Sequence, residues 1–196
     1  MKKISLLVAA LCCALSASGQ SRARSYAPGD IVLADGTLVK AGTLSALDTE
    51  NLPIAVIAAV KKGGALGVGV HRSVECVRFE AQSADEETAP NFAAHYAAAH
   101  HIRGAHSEGW RLPGVEELKT IYANRAAVNA SLQSMHRLDA GAAMGGLGSA
   151  WYWTGTPASV KKGCTWFVHF FNGYAGECER DMTNLNAIAV RTFGGE

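Results

Sequence analysis

Apolar residues in this chain fall into short runs broken by Gly, Pro, Asp-Gly and Asn-Gly, and the densest run lies near the C-terminal end. It reads Cys164-Thr-Trp-Phe-Val-His-Phe-Phe171, then Asn172-Gly173, then Tyr174-Ala-Gly-Glu-Cys-Glu-Arg-Asp181. Asn-Gly between two strand-like runs predicts a β-hairpin, because a two-residue turn of this kind needs positive φ at both central positions. Such a turn sets Phe171 opposite Tyr174, His169 opposite Gly176 and Phe167 opposite Cys178. Side chains alternate faces along a strand. Trp166, Val168 and Phe170 therefore share one face, the plainer apolar set and the expected core. Phe167, His169, Phe171 and Tyr174 share the other, which is expected to face outward and contact a ligand, since contiguous exposed aromatics mark binding surfaces. The competing reading is a sheet packed on both sides.

The remaining pattern predicts a mixed fold. Gly29 to Ala34, Asp35-Gly36 and Thr37 to Lys40 read as a first hairpin. Leu52 to Val60 reads as a buried strand. Gly63-Gly64 then turns into a strand from Ala65 to His71, which Ser73 to Glu80 extends or follows. Gly67 and Gly69 match no phosphate-binding loop and point to close backbone packing. After an acidic stretch, 81–88, and Pro90, alanine-rich Asn91 to Ile102 reads as a helix. It carries His95, His100 and His101, a spacing that does not gather three rings on one face as metal ligation would require. Pro113 opens a second helix, with Val115, Leu118, Ile121 and Tyr122 as its core face. Glu116 and Glu117 favour its N-terminal dipole and point in different directions, which speaks against paired acid–base chemistry. Arg125 to Met135 is a further short helix and 141–148 a glycine-rich loop. Trp151-Tyr-Trp-Thr-Gly-Thr opens an aromatic C-terminal sheet, and Ala187 to Phe193 closes it.

Composition adds the setting. A chain of 196 residues has room for one domain, placed at 29–196 after a lead-in at 20–28. Lys2 and Lys3 followed by apolar Ile4 to Leu15, with Ala17-Ser18-Gly19 before Gln20, has the form of a signal peptide over 1–19 and is too short to span a membrane. Cys12 and Cys13 raise the alternative of a lipidated bacterial lipoprotein, although Ala9-Ala10-Leu11 fits a lipobox poorly. Such a lipid would be the one link to a membrane. Either signal implies export, to the periplasm, outer membrane or cell surface. Loss of Lys2 and Lys3 turns the formal net charge from +1 to −1, a balance that does not suggest nucleic acid as a partner. Cys76, Cys164 and Cys178 then remain, an odd number, so at least one thiol is free or externally paired. The hairpin register places Cys178 opposite Phe167, roughly 10 Å along the strand from Cys164, beyond the ~7 Å Cα limit for a disulfide. No cysteine–histidine pattern of zinc type occurs, and neither a cofactor nor a metal is expected.

In order along the chain, Gly109-Trp110-Arg111-Leu112-Pro113 with Glu116-Glu117-Leu118, Trp151-Tyr152-Trp153-Thr154, Trp166-Phe167-Val168-His169-Phe170, Asn172-Gly173 and Val190-Arg191 resemble the DUF1566 (Lcl-like) domains, relatives of the formylglycine-generating enzymes. Asn124 to Gln133 is similar to bacterial surface members of that group. The resemblance spans roughly 29–193. It implies an α+β, C-type-lectin-like fold of the formylglycine-generating-enzyme type, with two main helices on a twisted, mainly antiparallel sheet. It also implies a ligand-binding protein rather than an enzyme, of the kind diversified by retroelements. The ligand-binding and variable region would be 151–193, with diversified positions lying between Trp151 and Asn186. Trp153, Trp166, Val168, Phe170 and Gly173 would support the backbone. Tyr152, Phe167, His169, Phe171, Tyr174, Glu177, Glu179, Arg180, Met182 and Asn184 would meet a protein or glycan outside the cell. Glu177 and Glu179 fall on the Trp166/Val168 face, which suggests a bulge after the turn. The chain departs from the enzymes, whose cysteine pair is closely spaced, and lacks the Glu-Pro-Asn and Trp-Asn-Asp calcium motifs of sugar-binding lectins. The rival readings are a thiol oxidase using Cys164 or Cys178, and a fixed-specificity envelope or adhesion domain.

Overall fold

A computed structural model describes residues 25–73 and 76–194; the signal-peptide and lipidation readings lie outside that range. Among the described residues no helix is long and apolar enough to cross a membrane. The elements follow in the order β1 (Ile31–Leu33), β2 (Leu38–Val39), β3 (Pro53–Lys61), β4 (Gly64–Arg72), α1 (Ala89–Ala99), α2 (Val115–Ala123), α3 (Arg125–Leu138), β5 (Trp151–Pro157), β6 (Cys164–His169), β7 (Ala175–Glu179), β8 (Leu185–Asn186) and β9 (Ile188–Phe193). The α+β class stands, with three helices rather than two, and with two sheets rather than one.

The larger sheet runs β2-β1-β3-β4-β9 and the smaller β7-β6-β5-β8. All strand pairs are antiparallel except β5 with β8. The segment 187–193 therefore does not close the aromatic sheet. β9 pairs with β4 instead, and only Ala187 separates it from β8 in the other sheet.

Both sheets are covered on both faces. On one side lie Phe92 and Tyr96 of α1, with Ala55 and Ile57 of β3, Trp153 of β5 and Phe167 of β6. On the other lie Leu118 and Ile121 of α2 and Leu132 and Met135 of α3, with Val56, Val68, Tyr152, Val168 and Phe170. A strand buried on both faces reads as a continuous apolar run, and β3 is buried from Pro53 through Ala59. A Cβ at Gly69 would strike the Tyr96 ring, and one at Gly67 the Phe193 ring. These glycines thus serve close packing.

Thr88 caps α1 through its Oγ1, which accepts from Asn91 N at 3.3 Å, and Pro90 sits inside the first turn. The helix starts two residues earlier than the sequence reading and stops sooner. His101 takes a left-handed φ of 54° there. Its N–H bonds Ala98 O, and Ile102 N–H bonds Ala97 O at 2.8 Å, the paired closure that usually places glycine where His101 stands.

The segment 109–117 is a structural joint. Trp110 is buried and donates its indole N–H to His106 O at 2.8 Å. Arg111 pairs both guanidinium nitrogens with Glu117, at 2.6 and 2.9 Å. Glu117 also accepts from Lys61 at 2.8 Å and from Gly114 N at 3.0 Å. These donors, Arg111 first, hold its carboxyl well below the ordinary 4.5, at about 2. A depressed carboxylate pKa contributes stability that is complete above the unfolded value and lost as pH falls through the folded one. Glu117→Gln should therefore cost about 1 kcal/mol at pH 7, at the upper end for partly exposed pairs. That difference from wild type should shrink between pH 4.5 and pH 2. Urea denaturation at pH 7, 4 and 2 checks both magnitude and sign.

Candidate functional site

The β6–β7 hairpin is built two residues out of the expected register. Phe167 faces Gly176, Val168 faces Ala175 and Trp166 faces Glu177. His169 N–H donates to Tyr174 O at 2.8 Å, and Gly173 N–H to His169 O at 2.8 Å. The turn is thus the four residues 170–173. Gly173 has φ +76°, and Asn172 is not in the positive-φ region a two-residue turn would require. Asn172 instead uses its side-chain oxygen to accept from Tyr174 N at 3.0 Å.

Core packing explains the longer turn. Phe170 is buried against Tyr122 of α2 and Tyr152 of β5, with ring centroids 5.6 and 4.6 Å away. Its N–H donates to Ala150 O at 2.9 Å, so Phe170 follows the β5 edge instead of pairing across the hairpin. A Cβ on Gly173 would collide with the Tyr122 ring, so the turn lies directly on α2. Glu177 and Glu179 fall on the Trp166 face as expected. Regular pairing carries them there through Cys164 opposite Glu179, and no bulge is needed.

Phe167 is a correction. It is buried, its ring stacked on Trp151 at 4.7 Å and 8°. Face parity was right, but this face has a core of its own, made by Trp153 and the α1 side of the molecule. Tyr152 is a second correction: it is fully buried among the α2 and α3 residues. Burial raises the pKa of its phenol. Neither side chain is presented to a ligand.

The other predicted residues separate into groups. At the hairpin tip Phe171 is 71% exposed and Tyr174 60% exposed. Half-buried His169 lies 6.0 Å from the Phe171 ring and 5.2 Å from the ring of Trp151. Trp151, which faces His169 across β5 and β6, was missed as a site residue. Its parity with Trp153 was the available signal, since the strand end leaves the outer of two same-face tryptophans uncovered. Glu177 is half-buried and its carboxylate accepts from Ser159 N at 3.3 Å. Toward and beyond the far end of β7, Glu179 and Asn184 are exposed, whereas Met182 packs on the core. Arg180 is committed to structure. It pairs with Glu80 at 2.7 Å, lies over the Phe79 ring, and its carbonyl accepts from Phe79 N and Glu80 N.

Among the described residues Cys76, Cys164 and Cys178 are free thiols. Cys178 faces Thr165, one position from Cys164, so alternation turns the two side chains to opposite faces. Absence of a bond was expected, but the offset is one residue rather than three. Burial pushes the Cys178 thiol up to about 12, with Cys164 and Glu179 adding to the rise. A thiol so poor in thiolate is a weak nucleophile, which speaks against Cys178 as the reactive group of the oxidase reading. Among the described residues no three His, Cys, Asp or Glu side chains are grouped to hold a metal. His95, His100 and His101 are not brought together; His100 stacks on His71.

No protein-family model and no curated protein matches the chain. The likeness to the DUF1566 domains therefore rests on the motifs quoted above.

The two burial classes predict different outcomes for neighbouring phenylalanines. Phe167→Ala should cost about 3–4 kcal/mol, and Phe171→Ala no more than about 0.5 kcal/mol, as read from denaturant midpoints. The thiols give a second check. Native alkylation with iodoacetamide, followed by peptide mapping, should label exposed Cys76 first, with Cys164 and Cys178 labelled only as the protein unfolds. Labelling of Cys178 ahead of Cys76 would contradict the environments described.

Proposed function

We propose that this is a non-enzymatic, exported binding module that presents the tip of its β6–β7 hairpin to a protein or glycan outside the cell. The observation that carries the reading is the exposure of Phe171 and Tyr174 beside Trp151 and His169, on a hairpin whose other side is packed on α2. Large apolar rings left in water on a rigid support offer contact area with little entropy to lose on binding. Glu177, Glu179 and Asn184 supply charge and hydrogen bonding on the neighbouring surface.

The finer fold reading belongs to the same proposal. The α+β body, its mainly antiparallel sheets and the buried Trp110 with its Arg111–Glu117 joint are compatible with a C-type-lectin-like domain of the formylglycine-generating-enzyme type. In this reading the chain is a variable protein of a diversity-generating retroelement. Its diversified positions are those the fold leaves uncovered.

Sequencing the locus in many sibling isolates tests this. Substitutions should concentrate at Trp151, His169, Phe171, Tyr174, Glu177, Glu179 and Asn184 and spare Tyr152, Trp153, Phe167, Val168 and Phe170. A near-copy template should lie within the flanking kilobases. An invariant region without a template removes the retroelement and leaves a fixed-specificity binding domain. Variation spread equally over buried and exposed positions would sink the display surface itself.

A further inference from the structure

A cavity of about 300 Å³ opens between the C-terminal end of α1, the end of β4 and the loop carrying Thr49 and Glu50. It shares no lining residue with the aromatic hairpin and lies at the lower end of the size range of small-molecule pockets. Ile54, Val70, Ile102 and the buried ring of Tyr96 give it an apolar lining. His71 and His100 also line it, stacked with centroids 4.1 Å apart and planes 17° apart. The Tyr96 hydroxyl is already engaged, accepting from His71 N at 3.0 Å. Among the described residues nothing hydrogen-bonds either imidazole, and Arg103 has no ion-pair partner.

These groups define what the cavity can hold. Near-parallel stacked rings do not converge their nitrogens on one ion, so the pair is a poor metal site. Three histidines, His71, His100 and His101, and the exposed Arg103 are among its lining residues. The one acidic residue of the lining is Glu50, which is exposed to solvent. We propose that this pocket is a binding site for a small organic anion with a flat apolar body, its negative group seated against the His71–His100 pair and Arg103. The apolar lining takes the body, and the unpaired donors take the charge.

The site then couples binding to protonation. Burial depresses both histidines, and His100, which also feels His71 and His101, is lowered to about 4. A bound anion supplies the counter-charge that favours an imidazolium. The negative end of the α1 dipole, where His100 and His101 sit, favours the same state. Glu50 would do so as well, while Arg103 and His101 oppose it. Tyr96, fully buried with its phenol pKa raised, stays neutral. Two rings in contact accept one proton between them.

Isothermal titration of the purified chain with benzoate tests the site, with benzyl alcohol as the uncharged isostere. Benzoate should bind at least about tenfold more tightly at pH 5.5 than at pH 7.5, with uptake of about one proton. That uptake is read from the dependence of the enthalpy on buffer ionisation. Arg103→Gln, an exposed change, should weaken binding several-fold at both pH values. His71→Gln/His100→Gln should abolish the pH dependence, with circular dichroism confirming the fold. Four results would each overturn the proposal: no saturable benzoate binding at pH 5.5, affinity independent of pH, benzyl alcohol binding as tightly, or an unchanged affinity in Arg103→Gln. The wild-type and Arg103→Gln measurements decide the matter even if the double histidine variant does not fold.

Discussion

Burial of both sheets on both faces is the constraint from which the rest of this structure follows. Adjacent residues of a strand point to opposite sides, so each central strand must serve two cores at once. Tyr152 and Trp153 do this on β5, and Val168 and Phe167 on β6. Where coverage ends, the same alternation leaves aromatic rings half-buried or in water. Trp151, His169, Phe171 and Tyr174 are the continuation of a buried aromatic row past the edge of its cover. The candidate surface is thus a consequence of where the helices stop as much as of which residues occupy it.

The joint around Glu117 ties that arrangement together at a second point. One carboxylate holds Lys61 at the end of β3, Arg111 beside β9 and the first turn of α2. Arg191 of β9 reaches back to the carbonyls of Glu108 and Ala105 at 2.6 and 2.8 Å. The Gly-Trp-Arg-Leu-Pro stretch is therefore chemistry spent on assembly. A motif that stands out in a sequence can do so because it locks elements together, and here none of its side chains contributes to the exposed aromatic surface.

Local rules carried much of the fold. The Asp35-Gly36 hairpin, the continuous apolar strand β3, the packing role of Gly67 and Gly69, and α2 with its acidic first turn all lie where sequence chemistry places them. What escaped was decided at a distance. The parity of β6 was legible, but which face is outside was not, because the second core is supplied by α1 and Trp153 from elsewhere in the chain. The turn at Asn172-Gly173 has a local signal for two residues, and burial of Phe170 against Tyr122 and Tyr152 outweighs it. Membership of β9 in the larger sheet leaves no trace in its own residues, since an apolar strand fits either sheet. The His71–His100 stack joins β4 to α1, a pairing that spacing within one helix does not encode.

Ala187 is the single residue between a strand of one sheet and a strand of the other. Leu185 pairs with Trp151, and Val190 with Val68, so nine consecutive positions complete two layers built from chain made long before. Each sheet takes its last edge strand from these residues, and pairing β4 with β9 spans more than a hundred residues of intervening chain. Contacts of such sequence separation carry their loop entropy up front and slow the final step. Until these residues pair, β4 and β5 each present a sheet edge without its neighbour. A hinge one residue long thus ties the outer edges of both sheets to each other.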